Sequence, residues 1–379
     1  MARMQAIVSI TRCPEYDLEA VESAVKKVCE DAGFPDVAGK TVLFKPNILR
    51  GAEPDTAVCT HPLVLRAAIR YAKAHGAARI LVGDSPGFQV GTSTFRKSGL
   101  LDAAIEEGAE WVDFSDGVSV DNPEGKVVKK FIFARQAVEA DVLVSLCKLK
   151  NHTLMYFTGA MKNLFGCIPG LLKPQFHMHF PNRRFFGQML TDVNIALRSD
   201  FSLMDAIVGM EGAGPGSGTP RRIGALLASR DPLALDCTAC RIIGLDPAIV
   251  ANLEDALGRG VWIGSEKEIE IIGTNPHDIR IDDWKQVPRG NSSERSIPPA
   301  LRNLFIGRPF FSKRTCIACG ACVTICPEKA LELVPDLKAR TKQQIEVDYD
   351  KCIRCYCCHE VCPEHAIAVR RTRPLKSNW

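Results

Sequence analysis

The sequence predicts an α/β domain with a largely parallel sheet, followed by a small α+β domain organised around cysteine. Two observations carry this. Between residues 5 and 285, short β-branched runs alternate with amphipathic helical patterns, which is the signature of strands joined by crossover helices. After that, C-x-x-C-x-x-C-x-x-x-C-P occurs twice with identical spacing, at Cys316, Cys319, Cys322, Cys326, Pro327 and at Cys352, Cys355, Cys358, Cys362, Pro363. Glu328 and Ala330 return as Glu364 and Ala366, so the repeat is an internal duplication. The predicted boundaries are 1–287 for the α/β domain, 288–312 for a linker, 313–370 for the cysteine-rich domain and 371–379 for a basic tail.

Taken in order, residues 4–10 read as the first strand and Asp17–Ala32 as an amphipathic helix. Thr41–Phe44 is a short buried strand running into Lys45-Pro46-Asn47. A helix follows from His61 to His75, with Thr60 as the expected N-cap and Pro62 in its first turn. Arg66, Arg70 and Lys73 share one face, which leaves the other for the core. Arg79–Gly83 is the next strand, followed by a helix over Thr94–Glu107 and a strand at Trp111–Phe114. Lys126–Phe133 reads as a hairpin edge. Asp141–Leu146 is a buried strand ending in Cys147-Lys148-Leu149-Lys150-Asn151-His152. The pattern then predicts a helix near Tyr156–Phe165, an irregular segment at Gly166–Arg184 and a helix at Phe185–Arg198. Ala206–Gly209 and Ile223–Ala228 are strands separated by a glycine-rich loop. A helix begins at Asp231-Pro232, and Ile269–Ile272 is a last strand.

Composition excludes several classes. Hydrophobic residues make up 46% and charged residues 24%, both ordinary globular values. No apolar run reaches the roughly 18 residues that suggest a membrane helix, and Met1–Pro14 lacks a secretory leader pattern. No basic stripe suggests nucleic acid. The net charge of +4 is contributed by residues 313–379, with 12 Lys/Arg against 8 Asp/Glu. The tail residues Arg370, Arg371, Arg373 and Lys376 are candidates to offset cluster charge or to meet an acidic partner. Sixteen cysteines without a secretory leader indicate a reducing, anaerobic cytoplasm.

The duplicated run resembles the bacterial-type ferredoxin that holds two four-iron, four-sulfur clusters. In that family the fourth cysteine of each run ligates the other cluster. The resemblance implies one [4Fe-4S] cluster on Cys316, Cys319, Cys322 and Cys362, and a second on Cys352, Cys355, Cys358 and Cys326. Zinc sites favour paired C-x-x-C or mixed Cys/His sets, which this order is not. Cys357 is left over, as a packed residue or a sulfur beside the ligands.

In open α/β sheets ligands bind beyond the carboxyl ends of the strands. Four predicted strands release polar residues there: Lys45 and Asn47; Asp84 and Ser85; Lys148, Lys150 and His152; and Glu211. One such residue is ordinarily a solvated turn former, whereas four sets along one edge predict a cleft. Lys162 and Asn163 add to a cation-rich lining that suits an anionic small molecule. The loop Gly212–Gly218 carries neither a dinucleotide nor a phosphate-loop signature, so no nicotinamide or ATP motif is present. It reads as a loop closing over the cleft or as a structural turn. Nothing speaks for or against a flavin. His61, His152 and His177-Met178-His179 could form a metal site if H-x-H is extended, although packing roles are the default. Cys237, Cys240 and Cys167 read as core residues.

Leu43-Phe44-Lys45-Pro46-Asn47, Thr60-His61-Pro62 and Gly83-Asp84-Ser85-Pro86-Gly87 resemble the domain-of-unknown-function 362 family. So do Lys148-x-Lys150-x-His152, Thr158-Gly159-Ala160-x-Lys162-Asn163 and Asp231-Pro232-x-Ala234-x-Asp236. This resemblance implies a shared α/β domain, often with a ferredoxin-type tail, but no established substrate. The reading is an iron–sulfur oxidoreductase fed by a donor such as a ferredoxin. Lys45, Lys148 and Lys150 hold the anion, His152 or His61 gives the proton, and Asp84 and Glu211 orient these groups or bind a metal. If the clusters dock against the cleft, truncation after residue 290 is expected to abolish turnover and spare ligand binding. One alternative is a non-enzymatic electron-transfer or cluster-delivery protein whose α/β domain recognises a client; another is a non-redox enzyme with structural clusters.

Overall fold

A computed structural model describes residues 5–86, 92–288 and 307–370. Gly87, most of the expected linker and the basic tail beyond Arg370 lie outside the described residues. Eleven strands precede the linker: β1 Ala6–Arg12, β2 Thr41–Pro46, β3 Arg79–Val82, β4 Glu110–Trp111, β5 Gly117–Asp121, β6 Lys130–Ala134, β7 Val142–His152, β8 Tyr156–Thr158, β9 Phe201–Glu211, β10 Thr219–Ser229 and β11 Ile269–Gly273. Nine form one sheet in the order β11-β1-β10-β9-β7-β2-β3-β4, with β8 added to β7. The β4-β3-β2-β7-β9 run is parallel throughout, β1 pairs in parallel with β11, and β10 is antiparallel to both β9 and β1. The domain is α/β with a mostly parallel sheet, as the alternation predicts.

Helices cover both faces. Leu18–Asp31 and Pro62–Ala74 bury Val21, Val25, Val28, Leu65 and Ile69 against one side. Pro232–Ile242 and Ala251–Arg259 bury Leu233, Leu235, Cys237, Cys240 and Leu253 on the other. Cys237 and Cys240 are core residues here, as expected.

Several elements depart from the sequence pattern for local reasons. The Thr94–Glu107 helix is two, Thr92–Lys97 and Leu100–Glu106, broken at Gly99, whose φ of +71° ends the first. The N-cap of Pro62–Ala74 is His61, whose Nδ1 accepts from the Leu63 amide, and not Thr60. Thr60 Oγ1 instead accepts from Asn47 N and donates to Leu146 O, tying β2 to β7. The predicted Tyr156–Phe165 helix starts as strand β8, pairing Tyr156 with His152. Its helical part is the α-helical turn Ala160–Asn163 followed by the 3-10 turn Leu164–Cys167. The supposedly irregular 166–184 segment contains the helix Lys173–His179.

β7 sets the position of the site. Its partner β2 ends at Pro46, opposite Leu146, yet β7 runs on to His152. The projecting half carries Lys148, Lys150 and His152 beyond the end of β2, where β8 pairs with it on that side while β9 stays paired on the other. Those residues are therefore strand residues, not loop residues following a strand.

The C-terminal domain contains β12 Arg308–Phe311, β13 Leu331–Pro335, β14 Gln343–Val347 and β15 Ile367–Arg370, with short helices Ala321–Ile325 and Cys357–Val361. β12 pairs with β15 and β13 with β14, both antiparallel. The duplication extends to the backbone. Left-handed residues recur as Ala318 and Arg354, Gly320 and Tyr356, Lys329 and His365.

Candidate functional site

A cavity of about 100 Å³ opens where the carboxyl ends of β2 and β3, the overhang of β7 and the C-terminal domain meet. That is room for several waters or one small ligand. Its floor is a saturated ion pair. Lys45 Nζ lies 2.9 Å from Asp84 Oδ1 and donates to Asn163 Oδ1 at 2.8 Å and Pro46 O at 2.7 Å. Asp84 also accepts from the amides of Ile48 and Ser85, each at 2.7 Å. Asn163 closes the network by donating to Lys45 O and Ser145 Oγ. Both charges are buried and fully partnered, which is the condition for tolerating an ion pair away from water. Gly166 lies directly over it: a Cβ there would stand 2.4 Å from Asp84 Oδ1 and 2.5 Å from Lys45 Nζ.

Lys162 and Asn163 reach the floor because Asp236 fixes their helix. Its carboxylate accepts from Ala160 N at 2.7 Å and Met161 N at 3.0 Å. A side chain at Gly159 would collide with it. Burial pushes the Asp236 carboxyl up to about 7, against the pull of those two amides.

The remaining cations are less satisfied. Lys150 Nζ donates to Val58 O at 2.7 Å, and Lys173 donates to Ser85 O. Lys162 Nζ makes no hydrogen bond among the described residues. Burial is the main cause that pushes the Lys150 and Lys173 ammonium groups down to about 7, and it also lowers Lys162. Lining atoms without a hydrogen-bond partner inside the protein include Asn47 Oδ1, Thr158 Oγ1 and His177 Nδ1. Cations converging on one small space, with the Thr158 hydroxyl and the His177 ring as donors, suit an oxyanion, and Asn47 Oδ1 suits a protonated group on the same molecule.

The C-terminal domain supplies the remaining wall, with Ile325, Cys357, Glu360 and Val361. Glu360 Oε1 stands 3.2 Å from His152 Nε2. His152 is buried, and its Nδ1 accepts from the amides of Leu154 and Met155. Burial first and Lys162 second push its imidazole down to about 4, so it is neutral with Nε2–H turned towards Glu360. His152 therefore stands behind Glu360 and does not line the cavity. Because Cys357 and Glu360 form a wall, truncation after residue 290 would open the site, so the expectation that binding survives it is withdrawn.

Of the other expected residues, Lys45, Asn47, Asp84, Ser85, Lys150, Lys162 and Asn163 all line the cavity. Lys148 does not. Asp205 sits opposite it in register and takes its Nζ at 2.7 Å, with Tyr16 Oη also at 2.7 Å. His61 belongs to the same network: its amide donates to Asp205 and its ring stacks on Tyr16 at 3.6 Å. Glu211 is buried elsewhere, accepting from Lys285 N and lying 3.2 Å from Lys285 Nζ. His177 and His179 lie on a helix, where i and i+2 diverge. His177 stacks on Phe186 and His179 is exposed, so the extended H-x-H arrangement does not form. The glycine-rich loop reaches the cavity rim through Pro215 and is tied down, with Gly216 O accepting from Arg50 and Ser217 Oγ 2.8 Å from His365 Nδ1. Lys173, Thr158 and Glu360 escaped the sequence reading: the first lay in a segment read as irregular, the second in one read as helix, and the third inside the cysteine repeat.

The eight repeat cysteines surround two further small, apolar cavities. Cys316, Cys319, Cys322 and Cys362 line one; Cys326, Cys352, Cys355 and Cys358 line the other. Amides point at the sulfurs at equivalent places, Ala330 N to Cys326 Sγ at 3.2 Å and Ala366 N to Cys362 Sγ at 3.3 Å. Four thiols, an apolar shell and amide donors to sulfur fit a cubane iron–sulfur group. Cys357 lines the second of these cavities and the lysine-rich one as well.

Two family models match the chain. Residues 42–241 match the family described as Domain of unknown function (DUF362), and residues 315–366 match a 4Fe-4S dicluster domain. The Thylakoid-associated protein sll1697 of Synechocystis sp. is 30% identical over 304 residues, covering 79% of this chain and 93% of that protein. Among solved structures, the lactate racemase apoprotein from Thermoanaerobacterium thermosaccharolyticum superposes with a TM-score of 0.40 at 18% identity, over 63% of this chain and 57% of that one. Among the described residues no helix is long and apolar enough to cross a membrane.

Proposed function

This chain belongs to the DUF362 family and carries a 4Fe-4S dicluster domain, and from that premise we propose that it is an oxidoreductase acting on a small anionic molecule held in the lysine-rich cavity. One observation carries the reading: the cavity that collects the cations shares the wall residue Cys357 with one of the two four-cysteine cavities. In this reading one cluster is held by Cys316, Cys319, Cys322 and Cys362, and the other by Cys352, Cys355, Cys358 and Cys326. Each cluster supplies one-electron transfer when bound.

The chain's own residues do the rest. Lys162, Lys150 and Lys173 bind the anion, the Thr158 hydroxyl donates to it, and Asn47 Oδ1 accepts from a hydroxyl or other protonated group on the same molecule. The Lys45–Asp84 pair holds Asn163 and the Ser85 backbone in place beneath it. Helix Cys357–Val361 excludes water on the cluster side. Lys150 and Lys173, whose ammonium groups are pushed down to about 7, carry protons to the substrate at Nζ. That role replaces the one expected of His61, which lies outside the cavity, and of His152, which faces Glu360. All eight cysteines outside the two sets are buried free thiols, which supports a reducing cytoplasmic setting.

The test is anaerobic reconstitution followed by iron analysis and a thermal-shift screen of small carboxylates and phosphates. About eight irons per chain are expected, together with at least one anion that raises Tm in the native chain but not in Lys162→Met. Four irons, or stabilisation that persists in Lys162→Met, would overturn the reading.

A further inference from the structure

The two cysteine cavities differ in their surroundings. The one lined by Cys352, Cys355, Cys358 and Cys326 borders the lysine-rich cavity through Cys357. The other, lined by Cys316, Cys319, Cys322 and Cys362, reaches the surface, and Cys319 is the one exposed cysteine of the chain. Ile317, which also lines it, is 38% exposed.

Beside it lies the tip of the β13–β14 hairpin. Arg340 N donates to Lys313 O at 3.1 Å, and Lys313 Nζ reaches Asp336 at 2.6 Å, so segments 313–320 and 336–342 form one continuous face. Leu337 at the tip is 90% exposed, more than any other large apolar side chain among the described residues. The charges around these apolar groups are Lys313, Arg314, Lys338, Arg340 and Lys342, against the single carboxylate Asp336. Asp336 is already engaged by Lys313 and by the Lys338 amide. Arg314, Lys338, Arg340 and Lys342 form no ion pair among the described residues. The opposite end of the hairpin is acidic, with Glu332 directly across from Glu346 and then Asp348 and Asp350.

Exposed apolar side chains ringed by unpaired cations, next to a redox-group cavity, have the layout of a transient protein interface. We propose that the face formed by residues 313–320 and 336–342 docks a small acidic one-electron carrier protein. Leu337 and Ile317 make the dry contact. The five cations steer the carrier, and the acidic far end of the hairpin sets its orientation. One electron passes from the reduced carrier, which is oxidised, to the group held by the exposed cysteine set, which is reduced. No proton or atom is exchanged. This rests on the electron-transfer reading above, and it gives the flow a direction, inward from the exposed set to the one beside the cavity.

The experiment uses the anaerobically reconstituted full chain and, as probe, an acidic bacterial two-cluster ferredoxin. Binding of the oxidised probe is measured by calorimetry at low and physiological salt, and reduction by the reduced probe in stopped flow. The affinity should fall with salt. Lys338→Glu/Arg340→Glu should weaken binding and slow reduction by the probe about tenfold or more, with iron content and reduction by dithionite unchanged. Leu337→Ala, at a side chain that packs against nothing, should cost a few-fold through faster dissociation. A control reversal on the other domain, Lys97→Glu/Lys267→Glu, should change neither. Native binding that is indifferent to salt and to both hairpin variants would overturn the proposal, as would equal loss in the control. Because none of these measurements needs the cavity's anion, failure to find a substrate leaves the result intact.

Discussion

Lys148 and Lys150 are two residues apart on one strand, and both are buried, yet they belong to different kinds of environment. Lys148 sits in a closed network: Asp205 and Tyr16 take its Nζ, the His61 amide reaches Asp205, and the His61 ring covers Tyr16. Lys150 has one carbonyl, Val58 O, and otherwise faces a cavity shared with Lys162 and Lys173. A buried cation whose N–H groups are taken by a carboxylate and a hydroxyl holds the fold together. A buried cation with no carboxylate within ion-pair reach is a cost that folding alone does not justify. Completeness of hydrogen bonding, more than residue type or strand position, separates the structural lysines from those available to a ligand.

The largest effect should come from breaking the closed network. Asp205→Ala leaves Lys148 buried and unpaired, and about 3–5 kcal/mol of stability should be lost in urea denaturation of the reconstituted chain. Lys162→Met removes a charge that no hydrogen bond engages, so its cost should stay within about 1 kcal/mol. A loss at Lys162 matching that at Asp205 would erase the distinction.

Anion binding should give the reverse order. Lys162→Met should weaken the stabilising anion about 10- to 100-fold, the worth of one charge-assisted hydrogen bond. Gly166→Ala should do comparable damage from a different direction, because its Cβ would be forced into the Lys45–Asp84 pair. Calorimetric titration of the anion against both variants measures this, and Asp205→Ala, if it still folds, should bind the anion normally.

A smaller and more diagnostic effect is in pH. The Lys150 and Lys173 groups are pushed down to about 7, well below the usual lysine value near 10.4. In the folded chain they lose their protons as pH rises through 7, while in the unfolded chain they keep them. The unfolded state then binds more protons, so these groups penalise folding below about pH 7 and the penalty is relieved as pH rises towards about 10. Anion affinity should run the other way, falling above pH 7 as the cations disappear, with proton uptake on binding at pH 8. Identical heats in buffers of different ionisation enthalpy would show that no proton is taken up.

Much of this arrangement was legible in the sequence. The resemblance of the cysteine repeat to two-cluster ferredoxins implied which four thiols share each cavity, and the strand–helix alternation implied the sheet. Lys45, Asn47, Asp84 and Ser85 were found because parallel strands deliver their last residues to one edge. Lys148 and Glu211 were misplaced because position after a strand says nothing about partners, and His61 because a helix start does not show which residues its side chain meets. Asp205 lies in a strand with no local signal that its side chain would cross to β7, and Tyr16 precedes a helix some 130 residues earlier in the chain. Glu360 is the instructive omission. It sits between two cluster-type cysteines, where the local pattern speaks only of metal, and it becomes part of the cavity only when the two domains meet.

Thr158 gives the smallest effect and the sharpest test of the rule. It lines the cavity from β8, and its hydroxyl is buried without a partner in the protein. If unpaired polar atoms mark the ligand side, Thr158→Val removes a desolvated hydroxyl at nearly constant shape. The free chain should then be unchanged or slightly more stable, by up to about 1 kcal/mol. The anion should bind only a few-fold more weakly, since one neutral hydrogen bond is worth about 0.5–1.5 kcal/mol. The two measurements must move in opposite directions. A valine that destabilises the free chain and leaves anion binding untouched would mean the hydroxyl serves the fold, and the division between closed and open polar groups would not hold at the residue where it is easiest to isolate.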